Sequence, residues 1–265
     1  MDNSYGLADL HEQLLIIMDD IDRVCRAHDI KYTIADGTLL GAIRHKGFIP
    51  WDDDMDVRMV RSEFEKFRRI YEKEKREDFI IGHPCNLAAY SVINPNYDIP
   101  GLIQEKGTII NPWVTIFPMD NAPKNKTASW IKATKLRFFS GMLGKPPQYA
   151  NYKASSRRLW DITSFVGKVT GYNGRVDRYL RACIADNDKK TGILSSYSSN
   201  MTSAYNRYQD SWFDEVEDIP FEDRTYKAIS RYHEFLTMMY GDYMTPVSES
   251  ERTPNHLQSD NEKEQ

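Results

Sequence analysis

The 265-residue chain carries 35 basic and 39 acidic side chains, and its formal net charge of −4 argues against a general nucleic-acid binder. A hydrophobic content of 40 % with 12 % aromatic residues can build a real core, and the length suits one α/β unit with helical additions. No run approaches the ~20 apolar residues of a membrane span, and Met1–Leu15 lacks the basic start and unbroken apolar stretch of a secretory signal, so the expected compartment is the cytoplasm.

Leu10, Leu14, Ile17, Ile21 and Val24 recur at helical spacing and predict an amphipathic helix over residues 7–28. Lys31–Ala35 reads as a short strand ending at Asp36-Gly37-Thr38, and Leu39–His45 as one or two helical turns, after which Gly47 and Pro50 turn the chain. Met55, Val57 and Met59 alternate with Asp54, Asp56 and Arg58, the pattern of a half-buried strand with its acids on one face. Ser62-Glu63-Phe64-Glu65 reads as a capping box opening a helix that runs to about Arg76. Phe79–Ile81, Leu87–Ile93 and Trp113–Phe117 predict further strands of a mixed sheet, and Asp98–Ile110 a hairpin turning at Glu105-Lys106-Gly107. Beyond Pro123–Lys126 the pattern becomes helical, at Trp130–Leu143, Ser156–Val169 and Arg175–Asp186. The expected organisation is an α/β (α+β) core over residues 1–125, a largely helical portion over 126–247, and a polar, disordered tail over 248–265.

The chemistry concentrates between positions 34 and 59. A strand, a Gly-Thr turn and a helix start present backbone N–H groups at the positive end of a helix dipole, which suits a phosphate. Gly37 allows close approach, Thr38 is placed to cap the helix or bond a phosphate oxygen, and Arg44 and Lys46 add positive charge on the same short element. Asp54 and Asp56, pointing the same way from one strand, repel each other unless a cation lies between them. A hard divalent ion, Mg²⁺ or Mn²⁺, satisfies both that pair and the phosphates. Taken alone, the run Asp52-Asp53-Asp54 is more often an ordinary solvated loop or helix cap; its combination with the Gly-Thr turn and the basic helix makes a nucleotidyltransferase-like arrangement.

The segment Gly37-Thr-Leu-Leu-Gly-Ala-Ile-Arg-His-Lys-Gly-Phe-Ile-Pro-Trp-Asp-Asp-Asp-Met-Asp56 resembles the signature of the LicD family, bacterial phosphocholine-transferase-like proteins that share a domain with fukutin and fukutin-related protein. Trp113-Val-Thr-Ile-Phe-Pro-Met-Asp120, Phe221–Lys227 and Tyr232–Met244 agree, so the resemblance spans roughly residues 10–245. It implies a nucleotidyltransferase-like fold and transfer of a phospho-alcohol, phosphocholine by default, from a CDP-linked donor such as CDP-choline. The acceptor it implies is a hydroxyl of a cell-surface glycan or its lipid-linked precursor, in lipopolysaccharide or teichoic acid synthesis, with CMP released. Asp54 and Asp56 would hold the metal, and Asp52 or Asp120 would orient or deprotonate the acceptor hydroxyl. Many relatives carry an acid where this chain has Thr115, a departure that also leaves open a catalytically silent nucleotide- or glycan-binding relative. True nucleotidyl transfer with pyrophosphate release uses the same residues and stays open too.

Tyr197–Trp212 is aromatic without a clean period, which fits core packing. If choline is the alcohol, Tyr205, Tyr208 and Trp212, together with Trp51, are placed to form a cation–π box, at ~0.5–2 kcal/mol per contact. The helical portion carries Lys132, Lys135, Arg137, Lys153, Arg157, Arg158, Trp160 and Lys168, either a solvated face or a patch that docks on an anionic inner membrane surface. Three dispersed cysteines and six histidines without ligand spacing suggest neither disulfides nor zinc, with His45 set apart by its place near the phosphate loop.

Overall fold

A computed structural model describes residues 3–82, 89–98, 111–143, 154–170, 173–198 and 203–254. The chain divides into two compact units, one of Met1–Gly82, Tyr90–Phe117 and Ser211–Gln265, the other of His83–Ala89 and Pro118–Asp210. Both helices and strands contribute throughout, so the α+β class expected from the sequence holds.

In the first unit, α1 (Ala8–Ala27) buries Leu10, Leu14, Ile17, Ile21 and Val24, the residues whose spacing predicts it. Strand β1 (Thr33–Ile34) leads into α2 (Asp36–Arg44), and β2 (Met55–Val60) runs directly into α3 (Arg61–Glu74). The sheet order is β1-β2-β5-β4-β3, with β3 at Ile80–Gly82, β4 at Tyr90–Ile93 and β5 at Trp113–Asn121. β1 pairs antiparallel with β2 through Thr33↔Arg58 and Ile34↔Val57, and β4 with β5 through Ser91↔Thr115. With one neighbour on each side, β2 is an interior strand, and Met55, Val57, Met59 and Arg58 are all buried. The one-sided strand expected from alternation is therefore corrected: both faces of β2 are covered, and Arg58 pairs with the half-buried Asp36.

Ser62 does not cap α3. The helix starts at Arg61 behind Val60, with no side-chain cap, because β2 feeds straight into it and places Ser62 inside the first turn. The chain from 211 onward is not an extension of the helical portion. It forms the hairpin β8 (Val216–Phe221) and β9 (Arg224–Ile229), then α7 (Tyr232–Tyr240), and belongs to the first unit, so a division at 125 and 247 differs from the observed one. Thr33 Oγ1 accepts from the Ile229 amide at 3.0 Å, fastening β9 to β1. Within the expected disordered tail, Glu249–Glu251 forms a short 3-10 helix closed by a Ser248–Glu251 capping box. The hairpin expected over 98–110 lies, from residue 99 onward, outside the described residues, as do Cys85 and residues 255–265.

The second unit contains α4 (Lys126–Leu143), α5 (Ala154–Val169), α6 (Asn173–Cys183) and two short strands, β6 (Ile193–Ser195) and β7 (Tyr208–Gln209). β6 pairs with the end of β5 through Asp120↔Ser195 and with β7 through Leu194↔Tyr208. Ala122, Ala133, Leu136, Tyr179, Cys183 and Tyr197 form its core. Trp160, expected in an exposed basic patch, is buried.

Candidate active site

The first unit assembles its acids where β1, α2 and β2 meet. Ala35 is extended and Asp36 turns into a left-handed conformation at φ 48°, one that Asp tolerates better than most side chains. That turn starts α2 at Asp36, three residues earlier than a Thr38 cap would require. Thr38 is not a cap: its Oγ1 accepts from the Asp56 amide at 2.9 Å and ties α2 to β2. Gly37 serves close approach, but of a carboxylate: a Cβ there would lie 2.5 Å from Asp52 Oδ2.

Arg58 is fully buried and grips Asp36 through both oxygens, Nη2 to Oδ1 at 2.8 Å and Nε to Oδ2 at 3.1 Å. Burial first, then the charges of Asp54, Asp36 and Asp52, push the Asp56 carboxyl well above the ordinary range, and Arg58 opposes them. Oxygen atoms of Asp52, Asp53 and Asp54 all lie within 4.8 Å of one another. Three carboxylates bear on Asp56 with one buried cation among them, and Asp53 closes on two of the three, which together make an anionic oxygen-donor set. That is the donor chemistry of a hard divalent ion, so these residues fit one. The convergence centres on Asp52–Asp54, and Asp56 shares their field rather than their closest group.

Supports for this loop come from distant parts of the sequence. The His11 Nε2–H donates to the Asp52 carbonyl at 2.8 Å, and its ring stacks on Phe48 at 3.9 Å. Burial lowers its pKa, with the Asp52 hydrogen bond opposing. Phe48 N–H donates to Glu222 Oε1, and the Glu222 amide donates to the Lys46 carbonyl at 2.8 Å, so the β8–β9 turn holds the bend after α2. Tyr240 of α7 exposes 42 % of its surface, but crowding of its hydroxyl and the charges of Asp36 and Asp56 push the phenol up.

A cationic group lies at the other end of α2. Arg44 Nε–H donates to His45 Nε2 at 3.0 Å and Nη1 to the Tyr243 carbonyl at 3.0 Å, while Lys46 is exposed. Arg252 stacks on Trp51 at 5.4 Å, and His45 meets the same indole edge-on at 6.2 Å. Burial lowers both Arg44 and His45, and repulsion from Arg252 lowers both further. The Arg44 and Arg252 cations repel each other beside a neutral His45 ring whose Nε2 accepts from Arg44, and such a pair suits an anion.

Asp120 belongs to the second unit, fully buried, and its Oδ1 accepts from Asn187 Nδ2 at 2.6 Å. Thr115, on β5 in the first unit, is buried with its hydroxyl 3.3 Å from that of Ser91, so this position supplies a neutral hydroxyl pair. The four aromatics expected as one box divide between the units, Trp51 and Trp212 in the first, Tyr205 and Tyr208 in the second. Tyr208 is fully buried, Tyr205 lies 3.3 Å from the Thr134 hydroxyl, and Trp51 already carries the Arg252 cation on its ring. Sequence reasoning passed over Asp36, Arg58, Tyr240, His11, Glu222 and Arg252. A signal existed for Arg58 alone: an arginine on the acidic face of an apolar strand needs a buried acid.

Residues 29–147 match the family described as LicD/FKTN/FKRP, nucleotidyltransferase domain. Over 276 aligned residues the chain is 28 % identical to the lipopolysaccharide cholinephosphotransferase LicD of Haemophilus influenzae, across 94 % of this chain and 96 % of that one. An uncharacterised protein of Rickettsia typhi is 39 % identical over 67 residues, 25 % of this chain and 22 % of its own. Another, from Rickettsia prowazekii, is 45 % identical over 47 residues, 18 % of each.

Proposed function

We propose, for a chain that belongs through residues 29–147 to the LicD/FKTN/FKRP nucleotidyltransferase-domain family, a cytoplasmic phosphotransferase that moves phosphocholine or a related phospho-alcohol from a CDP-linked donor to a glycan hydroxyl. The observation that carries this is the pairing of a converging carboxylate group, Asp52–Asp54 with Asp56, and a cationic pair, Arg44 with Arg252 on Trp51, around one short segment. Likeness along nearly the whole chain to a lipopolysaccharide cholinephosphotransferase supports the substrate class.

In this reading Asp54 and Asp56, with Asp52, hold Mg²⁺ or Mn²⁺, which when bound offsets charge on the donor phosphates. Arg44 and Lys46 bind the pyrophosphate, and Arg252 adds to that positive field. The acceptor oxygen attacks the phosphorus bearing the alcohol, a new P–O bond forms, and the bond to the CMP phosphate oxygen breaks. CMP leaves with the electron pair, and the acceptor proton passes to a carboxylate of the same unit, Asp52.

Incubating the purified protein with Mg²⁺, a panel of CDP-alcohols and glycan extracts tests it by CMP release and product mass. CMP from one donor with the matching mass on the glycan is the expected result. Pyrophosphate release from a nucleoside triphosphate would instead make the chain a nucleotidyltransferase. Metal-dependent nucleotide binding with no turnover would favour a silent binding relative, a reading that the neutral Thr115–Ser91 pair supports.

A further inference from the structure

The basic residues that the sequence offers as a membrane patch are partly spent inside the second unit. Lys132 Nζ pairs with Asp186 at 2.9 Å, donates to the Cys183 carbonyl and sits over the Tyr197 ring. What the helices expose instead is apolar. On α5, Ile162, Phe165 and Val169 are 61 %, 69 % and 73 % exposed, and Leu159 extends the same three-to-four residue spacing. On α4, Trp130, Ile131 and Phe138 are exposed, Trp130 at 60 %. The opposite sides of both helices are already used: Trp160 and Thr163 are buried on α5, Ala133 and Leu136 on α4. The helices meet at Gly141, where a Cβ would lie 2.2 Å from Thr163 Oγ1. A soluble surface rarely leaves so many large apolar side chains together on two packed helices.

Charge identifies the occupant. α4 and α5 together contain seven basic side chains and one acidic, in a chain whose net charge is −4. Arg158 stands one turn before Ile162, Lys168 beside Val169 and Lys135 between Ile131 and Phe138, all three exposed at the margins of the apolar residues. Two copies meeting through this face would set those cations against each other, because a two-fold interface presents the same patch from both sides. An anionic lipid surface complements both features. Apolar side chains enter the boundary between headgroups and acyl chains, and the cations stay at headgroup level. Among the described residues no helix is long and apolar enough to cross a membrane, so the contact would lie in the interface plane.

We propose that the exposed face of α4 and α5 docks the protein on an anionic phospholipid bilayer. The docking does not depend on the transferase reading, because vesicle binding needs neither donor nor metal. Flotation of the full chain with phosphatidylglycerol–phosphatidylcholine vesicles and with phosphatidylcholine vesicles, at low and high salt, tests it. Binding to the anionic vesicles that weakens with salt is expected. The double variant Ile162→Glu/Phe165→Glu should lower the bound-to-free ratio by at least about tenfold, with an unchanged circular dichroism spectrum, since both side chains already face solvent. Wild-type protein that stays unbound at low salt overturns the proposal, as does a variant that binds like wild type. Concentration-dependent dimers that the same substitutions dissolve, without vesicle binding, would assign the face to a second copy and overturn it as well.

Discussion

Deleting the Arg58 charge tests the electrostatic organisation of the site most directly. The guanidinium is fully buried, holds Asp36 at 2.8 and 3.1 Å, and opposes the acids that push Asp56 upward. Arg58→Met keeps an apolar stem in the same space but leaves Asp36 and Asp56 facing each other without that cation. Removing one partner of a buried ion pair costs about 3–5 kcal/mol, because the other charge stays desolvated. In a chain of this size each kcal/mol moves the thermal midpoint by about 2–4 °C, so Arg58→Met should melt roughly 6–20 °C lower. The assay is thermal unfolding at neutral pH without divalent ions, comparing wild type, Arg58→Met and Asp36→Asn/Arg58→Met. The double variant should recover part of the loss, since it also removes the stranded carboxylate. A loss below ~1 kcal/mol in Arg58→Met, or a double variant no more stable than the single, would refute the argument from a buried pair.

Three further outcomes follow from the same geometry. Burial and neighbouring acids raise the Asp56 carboxyl above its ordinary 3.8, so its contribution is full below that value and is lost as pH rises through the raised folded value. Asp56→Asn should therefore flatten this fall in urea unfolding of the metal-free protein while abolishing turnover; identical pH slopes in the two proteins would remove the repulsion. Gly37→Ala places a methyl 2.5 Å from Asp52 Oδ2 and should cost about 1–3 kcal/mol or displace that carboxylate, seen as weakened Mg²⁺ binding by calorimetry; unchanged stability and metal affinity would contradict the close approach. Arg252→Ala relieves repulsion on His45, so the imidazole pKa should rise when followed by NMR, and donor KM should rise with little change in kcat; an unmoved His45 titration would separate Arg252 from the cationic group.

Local pattern carried the elements whose cause is local. α1 is legible because five apolar residues at helical spacing find one core, and α4 and α5 because their periodicity survives in any context. Alternation in Met55–Met59 gave the strand correctly but not its setting, since a period of two cannot report that neighbours cover both faces. β6 and β7 were missed because two or three residues form a strand only when a partner edge is present. The capping box at Ser62 failed for a related reason: the hydrogen-bonding pattern of β2 fixes where α3 begins, one residue before the sequence signature.

The candidate site divides the same way. Order along the chain by itself brought Gly37, Thr38, Arg44, Lys46 and the acids at 52, 54 and 56 into one segment, because a strand, a short helix and a return strand keep these 20 residues close. Only the tertiary structure decided which of them meet. It turned Thr38 from a cap into a tie on the Asp56 amide, gave Gly37 to Asp52, buried Arg58 against Asp36, and brought His11, Glu222 and Arg252 to the loop across up to two hundred residues of chain. Those partners are set by packing and by the cost of leaving a buried charge or amide unpaired, and neither quantity exists until the chain has closed on itself.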